Sequence, residues 1–143
     1  MTEPRITPVP PAFVDCVWAE VMPFITEAVR KSAGRFSVES VREDALRGFH
    51  TLWIAVMDEK IVLVISTRVV QYPLRRGLIV EWAGGGRLMD VIGAYMHELR
   101  AYARENKCDH IEGSGRRGWS KALALHGWSI GDVSYKLEIE DAG

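Results

Sequence analysis

The sequence predicts an α+β domain in which a central mixed sheet carries helices on both faces. Three observations carry that prediction. Apolar residues recur at three- and four-residue steps from Ala12 to about Lys31, a helical period. From Thr51 to Ala83 the pattern changes to β-branched and apolar runs broken by polar turns, as in an antiparallel meander. A glycine triplet then opens a long amphipathic helix, after which short strand and helix patterns alternate to the end. The predicted order is helix, helix, three strands, helix, strand, helix, strand.

Pro4, Pro8, Pro10 and Pro11 remove backbone donors and fix φ, so residues 1–11 read as an extended arm rather than a first strand, with a single domain over 12–143. In the first helix Phe13, Val17, Val21, Phe24 or Ile25, and Ala28 form one stripe, and Pro23 predicts a kink. Ser37 can cap a second helix from Val38 to Arg47, with Gly48 as its stop. Thr51–Met57 and Lys60–Val70 read as strands joined by a tight turn at Asp58-Glu59, and Ile61–Ile65, apolar on both faces, places the second of them at the centre. Leu78–Ala83 is the third strand. Leu88, Val91 or Ile92, Tyr95 or Met96, Leu99, and Tyr102 or Ala103 mark the longest clear helix, to about Asn106. Cys108–Glu112 reads as a short strand, Gly118–His126 as a short helix stopped by Gly127, and the alternation of Val133, Tyr135, Leu137 and Ile139 as a closing strand.

Composition removes several function classes. The 143 residues carry 18 Lys plus Arg against 19 Asp plus Glu, a net charge of -1, so no bulk field exists to hold nucleic acid or an anionic membrane. No apolar run, Ile61–Ile65 included, comes near the roughly 20 residues that span a bilayer, and residues 1–11 lack an apolar core of the signal-peptide kind. The expectation is a soluble, cytoplasmic protein without nucleic acid or membrane partners. Cys16 and Cys108 are expected as reduced thiols.

The strand Leu78–Ala83, then Gly84-Gly85-Gly86, then a helix opening near Leu88 is an arrangement that can bind phosphate. Glycines let backbone N–H groups approach an anion, and the helix N-terminus adds partial positive charge. A plain connecting turn is the alternative. No P-loop Lys-Ser/Thr and no G-x-G-x-x-G follow, which disfavours nucleotide hydrolysis and dinucleotide binding.

From about Ala12 to Ile139 this order resembles the GNAT acyltransferase superfamily. There the loop after the fourth strand carries a Q/R-x-x-G-x-G/A motif that cradles the pyrophosphate of acetyl-CoA; here Ala83-Gly84-Gly85-Gly86-Arg87 takes its place without matching letter for letter. The late helix ending Leu125-His126-Gly127-Trp128 is a second point of resemblance. Three features depart from the family: Leu123 stands four residues before that glycine, where many members have a tyrosine general acid; the proline-rich arm offers no first strand; and the C-terminus has room for one long strand where many members have two. The stretch from Cys108 to Trp128 also resembles small GNAT-like proteins of phages and prophages. The resemblance implies acetyl-CoA as cosubstrate, an unknown amine as acceptor, and transfer at the parting of the fourth and fifth strands. Its alternative is a domain that has lost catalysis and serves as a binding or structural module with a protein partner, for example in phage particle assembly.

In that frame Glu81 and Glu112 are the candidate catalytic residues, since each lies on one of the two strands. Glu81 interrupts an apolar run, so it is either a base with a raised pKa or one half of an ion pair with an arginine on a neighbouring strand. Candidate acetyl-CoA contacts are Trp82, Ala83, Gly84, Gly85, Gly86, Arg87, Arg117 and Trp119; Arg116 shares the reasoning for Arg117, because guanidinium groups bind phosphate bidentately. Both tryptophans suit core packing equally well. Cys108 and His110, two apart on a strand, share a face and read either as a thiolate–imidazole or metal pair or as a buried thiol beside a solvated histidine. His126 fits a helix C-cap. Arg75, Arg76, Arg100, Arg104 and Lys107 suggest a local basic face that the net charge argues against.

Overall fold

Five strands join in chain order into one sheet: β1 (Arg5–Val9), β2 (Thr51–Met57), β3 (Lys60–Gln71), β4 (Arg76–Gly85) and β5 (His110–Gly113). The first four are antiparallel neighbours and β4 runs parallel to β5, so the sheet is mixed, as expected. The computed structural model describes residues 3–115 and 119–139.

The first correction concerns the proline-rich segment. Residues 5–9 pair with β2 from Arg5↔Val56 to Val9↔Leu52. Prolines are tolerated because β1 lies at the sheet edge, with β2 as its one neighbour, where a missing N–H need not break a ladder. A 3-10 turn at Pro11–Phe13 then leads into α1 (Val14–Arg30), which carries Pro23 inside it, and α2 (Val38–Leu46). Ser37 caps α2 through a reciprocal capping box, its Oγ accepting from Ser40 N at 3.0 Å while Ser37 N donates to Ser40 Oγ at 2.9 Å. Asp58 and Glu59, with φ of 49° and 65°, turn the β2–β3 hairpin in the left-handed conformation its twist requires.

Two cores flank the sheet. On one face α1 and α2 bury Val21, Ile25, Ala28 and Val41 over Leu52, Val64 and Trp82. On the other, α3 (Leu88–Glu105) buries Val91, Ile92, Tyr95, Met96 and Leu99 over Trp53, Leu63, Ile65 and Leu78. Two buried polar groups within these layers find partners, Ser66 Oγ none among the described residues: Trp53 Nε1 donates to Thr67 Oγ1 at 2.9 Å, and the Tyr95 hydroxyl lies 3.0 Å from Leu63 O and 3.2 Å from Trp53 O, its pKa pushed up by burial. The β3–β4 register shifts between Ser66↔Trp82 and Thr67↔Val80, leaving Glu81 as a bulge. The bulge rephases the alternation, so Leu78 faces α3 whereas Trp82 faces α1.

The second correction is at the other end. After α4 (Ser120–Ala124), the predicted closing strand forms no strand: residues 129–139 are exposed, with Val133 at 61%, Tyr135 at 92%, Leu137 at 84% and Ile139 at 75%. The alternation is present, but no neighbouring strand meets it. No helix among the described residues is long and apolar enough to cross a membrane.

Candidate functional site

β4 and β5 pair only from Gly77↔His110 to Val80↔Gly113. Beyond that point β4 continues through Glu81–Gly85 with β3 on one side and, among the described residues, no strand on the other. The bulge at Glu81 and the end of β5 at Gly113 create this parting. In the gap, on the α3 side, is an apolar pocket of about 90 Å³ lined by Val80, Ala83, Leu88, Ile92, Gly113 to Gly115, Trp119, Leu123 and Trp128. Of the sequence candidates, Ala83 and Trp119 meet here, with Leu123 in the same wall. Trp82 lies in the other layer, 6.3 Å from the Phe36 ring, as a core side chain.

Glu81 is paired with Arg68 of β3, Nε to Oε1, so the ion pair with a neighbouring-strand arginine is the alternative the structure adopts. Glu112 sits in a denser network. Its Oε2 is 2.7 Å from His110 Nε2, and both its oxygens are 3.2 Å from the Tyr72 hydroxyl; His110 Nδ1 is 2.7 Å from Asp109 Oδ1. The Tyr72 ring stacks on His110 at 6.2 Å. Space for the imidazole comes from Gly77, where a Cβ would fall 2.7 Å from Nε2. Asp109, then Glu112, push the His110 pKa up, and with a carboxylate on each nitrogen the ring is set to donate from both. The Arg76 amide first, then His110 and Arg75, hold Asp109 down to about 2. Desolvation and then Glu112 raise the Tyr72 hydroxyl.

The glycine triplet is accounted for first by packing. A Cβ on Gly84 would strike the carbonyl oxygen of Phe24 in α1, and one on Gly85, at φ +116°, would lie 2.5 Å from Val62 O. Gly86 N is engaged as well, donating to Val62 O at 3.0 Å, and the Glu27 carboxyl lies close enough to Gly85 for that amide to be a minor cause of its lowered pKa. Lys31, 2.8 Å from Glu27 Oε1, is the main cause of that carboxyl's lowered pKa. The N–H groups that lack helical partners lie just beyond, at the start of α3, where Arg87 adopts a left-handed φ of 60° and its Nε holds Asp90 Oδ2 at 2.9 Å.

Arg116 and Arg117 lie outside the described residues. Cys108 and His110 do not form a pair: the thiol, pushed up by burial, lies 3.9 Å from Asn106 O, while His110 is held by Asp109 and Glu112 rather than solvated. The supposed basic face is partly tied down, with Arg75 on Asp109, Arg76 on Asn106 O and Arg100 on His126 O. α4 ends at Ala124, before His126, so His126 is not its cap; its carbonyl receives Arg100. Sequence reasoning missed Arg68, Tyr72, Asp109 and Glu27. Asp109 and Tyr72 carried a signal in hindsight, the acid-His-x-acid spacing at 109–112 and an aromatic at the turn facing it; Glu27 carried none.

No protein-family model matches this chain, and no curated protein matches it. Solved structures do. The chain is similar to an aminoglycoside acetyltransferase from an uncultured soil metagenomic sample, with TM-score 0.71 and 12% identity over 97% of this chain and 100% of that one. It is similar to the ribosomal-protein-alanine N-acetyltransferase of Brucella melitensis, with TM-score 0.69 and 14% identity over 95% and 99%. A predicted acetyltransferase from Clostridium acetobutylicum, solved with acetyl-CoA, aligns with TM-score 0.63 and 12% identity over 94% and 96%. The fold is that of the GNAT acetyltransferases.

Proposed function

We propose that this protein transfers an acetyl group from acetyl-CoA to an amine at the opening between β4 and β5. The observation that carries the reading is the unpaired edge of β4 beyond Val80, with an apolar pocket in the gap. Strand backbone with no neighbour offers N–H and C=O groups to the amides of a pantetheine arm, and one such N–H can polarise a thioester carbonyl. The anionic end of the cosubstrate fits the start of α3, where the amides of Leu88 and Met89 are the N-terminal donors of an 18-residue helix and Arg87 stands beside them.

The amine nitrogen attacks the thioester carbonyl carbon and loses a proton as the C–N bond forms. Glu81 or Glu112, each on one of the two parting strands, receives it directly or through water. The carbon–sulfur bond breaks and the thiolate leaves with CoA, taking its proton from solvent because Leu123 supplies none. Thiolates are good leaving groups, so loss of an acid there slows the reaction without forbidding it.

The test is thermal denaturation of ligand-free protein across titrations of acetyl-CoA and CoA. Binding only to the native state raises Tm by mass action. Gly86→Asp is the paired variant, because Gly86 has nothing within 4 Å of its Cβ position, whereas Gly85 is strained by any side chain. A saturable rise in the parent, weakened by Gly86→Asp, supports the reading; no rise at millimolar ligand sinks it. The second reading, a module without catalysis, is favoured by Glu27 and Asp90, two carboxylates at the place a pyrophosphate would occupy. It predicts that no acceptor is acetylated even where acetyl-CoA binds.

A further inference from the structure

We propose that the donor range of this protein extends past acetyl to short, saturated, uncharged acyl groups, with the four-carbon butyryl group the best fit to the pocket on the α3 side of the β4–β5 gap. The inference rests on the CoA binding proposed above and changes only the chain carried by the thioester carbonyl carbon. The C–N bond still forms, the C–S bond still breaks, and CoA still leaves as the thiolate.

The pocket is deeper than a methyl group needs. Its mouth lies between Val80, the last β4 residue paired with β5, and Gly113, where β5 ends. A Cβ at Gly113 would lie 3.3 Å from Val80 Cβ, so the absence of a side chain there keeps the mouth open. The far wall is Ile65 on β3 together with Tyr95 and Leu99 on α3, all buried. Ile65 is one strand further from the gap than Ala83, its register partner, and neighbouring strands lie about 4.8 Å apart. A chain that enters at the gap therefore passes beneath β4 before it meets a stop. Volume sets the length. A cavity of about 150 Å³ seats the six carbons of benzene, and the one here, about 90 Å³, takes three or four in proportion.

The lining sets the chemistry. Among the described residues no charged side chain lines this pocket. The Tyr95 hydroxyl is engaged by Leu63 O at 3.0 Å and Trp128 Nε1 by Met96 Sδ at 2.9 Å, so neither is free for a ligand. A carboxylate carried in on a succinyl chain would lose its water and find no partner. The shape is fixed in advance as well: a Cβ on Gly115 would strike the Trp119 ring, and the glycine lets that indole lie on the backbone as part of the wall.

The experiment is calorimetric titration of the ligand-free full chain with CoA and with acetyl-, butyryl-, octanoyl- and succinyl-CoA. Each buried methylene tightens binding about fourfold, so butyryl-CoA should bind about fifteenfold more tightly than acetyl-CoA. Succinyl-CoA, with the same number of carbons, should lose that gain, and octanoyl-CoA should fall below butyryl-CoA because the pocket is full. Leu123→Trp enlarges a half-buried wall residue and should erase the butyryl advantage, with far-ultraviolet circular dichroism unchanged. If no CoA species binds, the acetyl-transfer reading fails and takes this proposal with it. If CoA binds but acetyl-CoA or succinyl-CoA matches butyryl-CoA, or affinity keeps rising to octanoyl-CoA, this proposal alone is overturned, and the parent protein decides it without a variant. A butyryl preference that survives in folded Leu123→Trp overturns it as well.

Discussion

The two halves of β4, on either side of Glu81, are held in opposite ways. From Arg76 to Val80 the strand lies between β3 and β5, and Leu78 is fully buried under α3. From Trp82 to Gly85 it has, among the described residues, only β3 beside it and is pinned from above by α1, whose Phe24 carbonyl lies against Gly84. The first half is fixed by strand pairing and side-chain packing, the second by backbone pressed on backbone. Pinning by a helix on the face leaves an edge of the strand open. A sheet can therefore present unpaired main-chain groups at its centre and stay rigid there.

The first half breaks in the ordinary way. Leu78→Ala leaves a cavity under α3 and should lower unfolding stability by about 3 kcal/mol in urea denaturation. Gly84→Ala tests the second half, because the added methyl can be accommodated only if α1 moves away. The expected loss is about 2 kcal/mol, within the range for overpacked cores. A loss well under 1 kcal/mol would show that α1 does not pin the strand.

The smallest effect sharpens the boundary between the halves, where His110 stands beside Gly77. Its folded pKa lies above the ordinary 6.5, so its contribution is fully present below that value and is lost as pH rises through the raised one. Asp109 acts in reverse: its contribution is present above 3.8 and lost as pH falls through about 2. The network is firmest between those limits and, being largely exposed, weakens in salt. The Tm advantage of the parent over His110→Gln should shrink from about pH 5 to about pH 8. An advantage constant across that span would mean that the ring is not charged by folding.

Most of the elements were legible because their residues speak locally. The Ser37 cap, the Asp58-Glu59 turn and the stripe of α3 each fall within a few residues of chain. The two misjudged segments both turn on strand pairing, where identity depends on a neighbour distant in sequence. Prolines in β1 argued against a strand because the edge position that tolerates them could not be seen, and the period of residues 133–139 argued for one although no strand among the described residues meets it. The site shows the same division. Glu81 was visible as a charge in an apolar run, and its alternative partner, an arginine one strand away, was anticipated. The duty of Gly84 and Gly85 was hidden because Phe24 and Val62, the residues that demand them, lie elsewhere in the chain.

Pro8 on β1 sets the ends of this sheet apart. A strand carrying proline cannot supply a full ladder to a newcomer, so growth by strand addition stops on that side. With one blunted margin and one receptive margin, copies of this chain cannot stack edge to edge into a continuous ribbon.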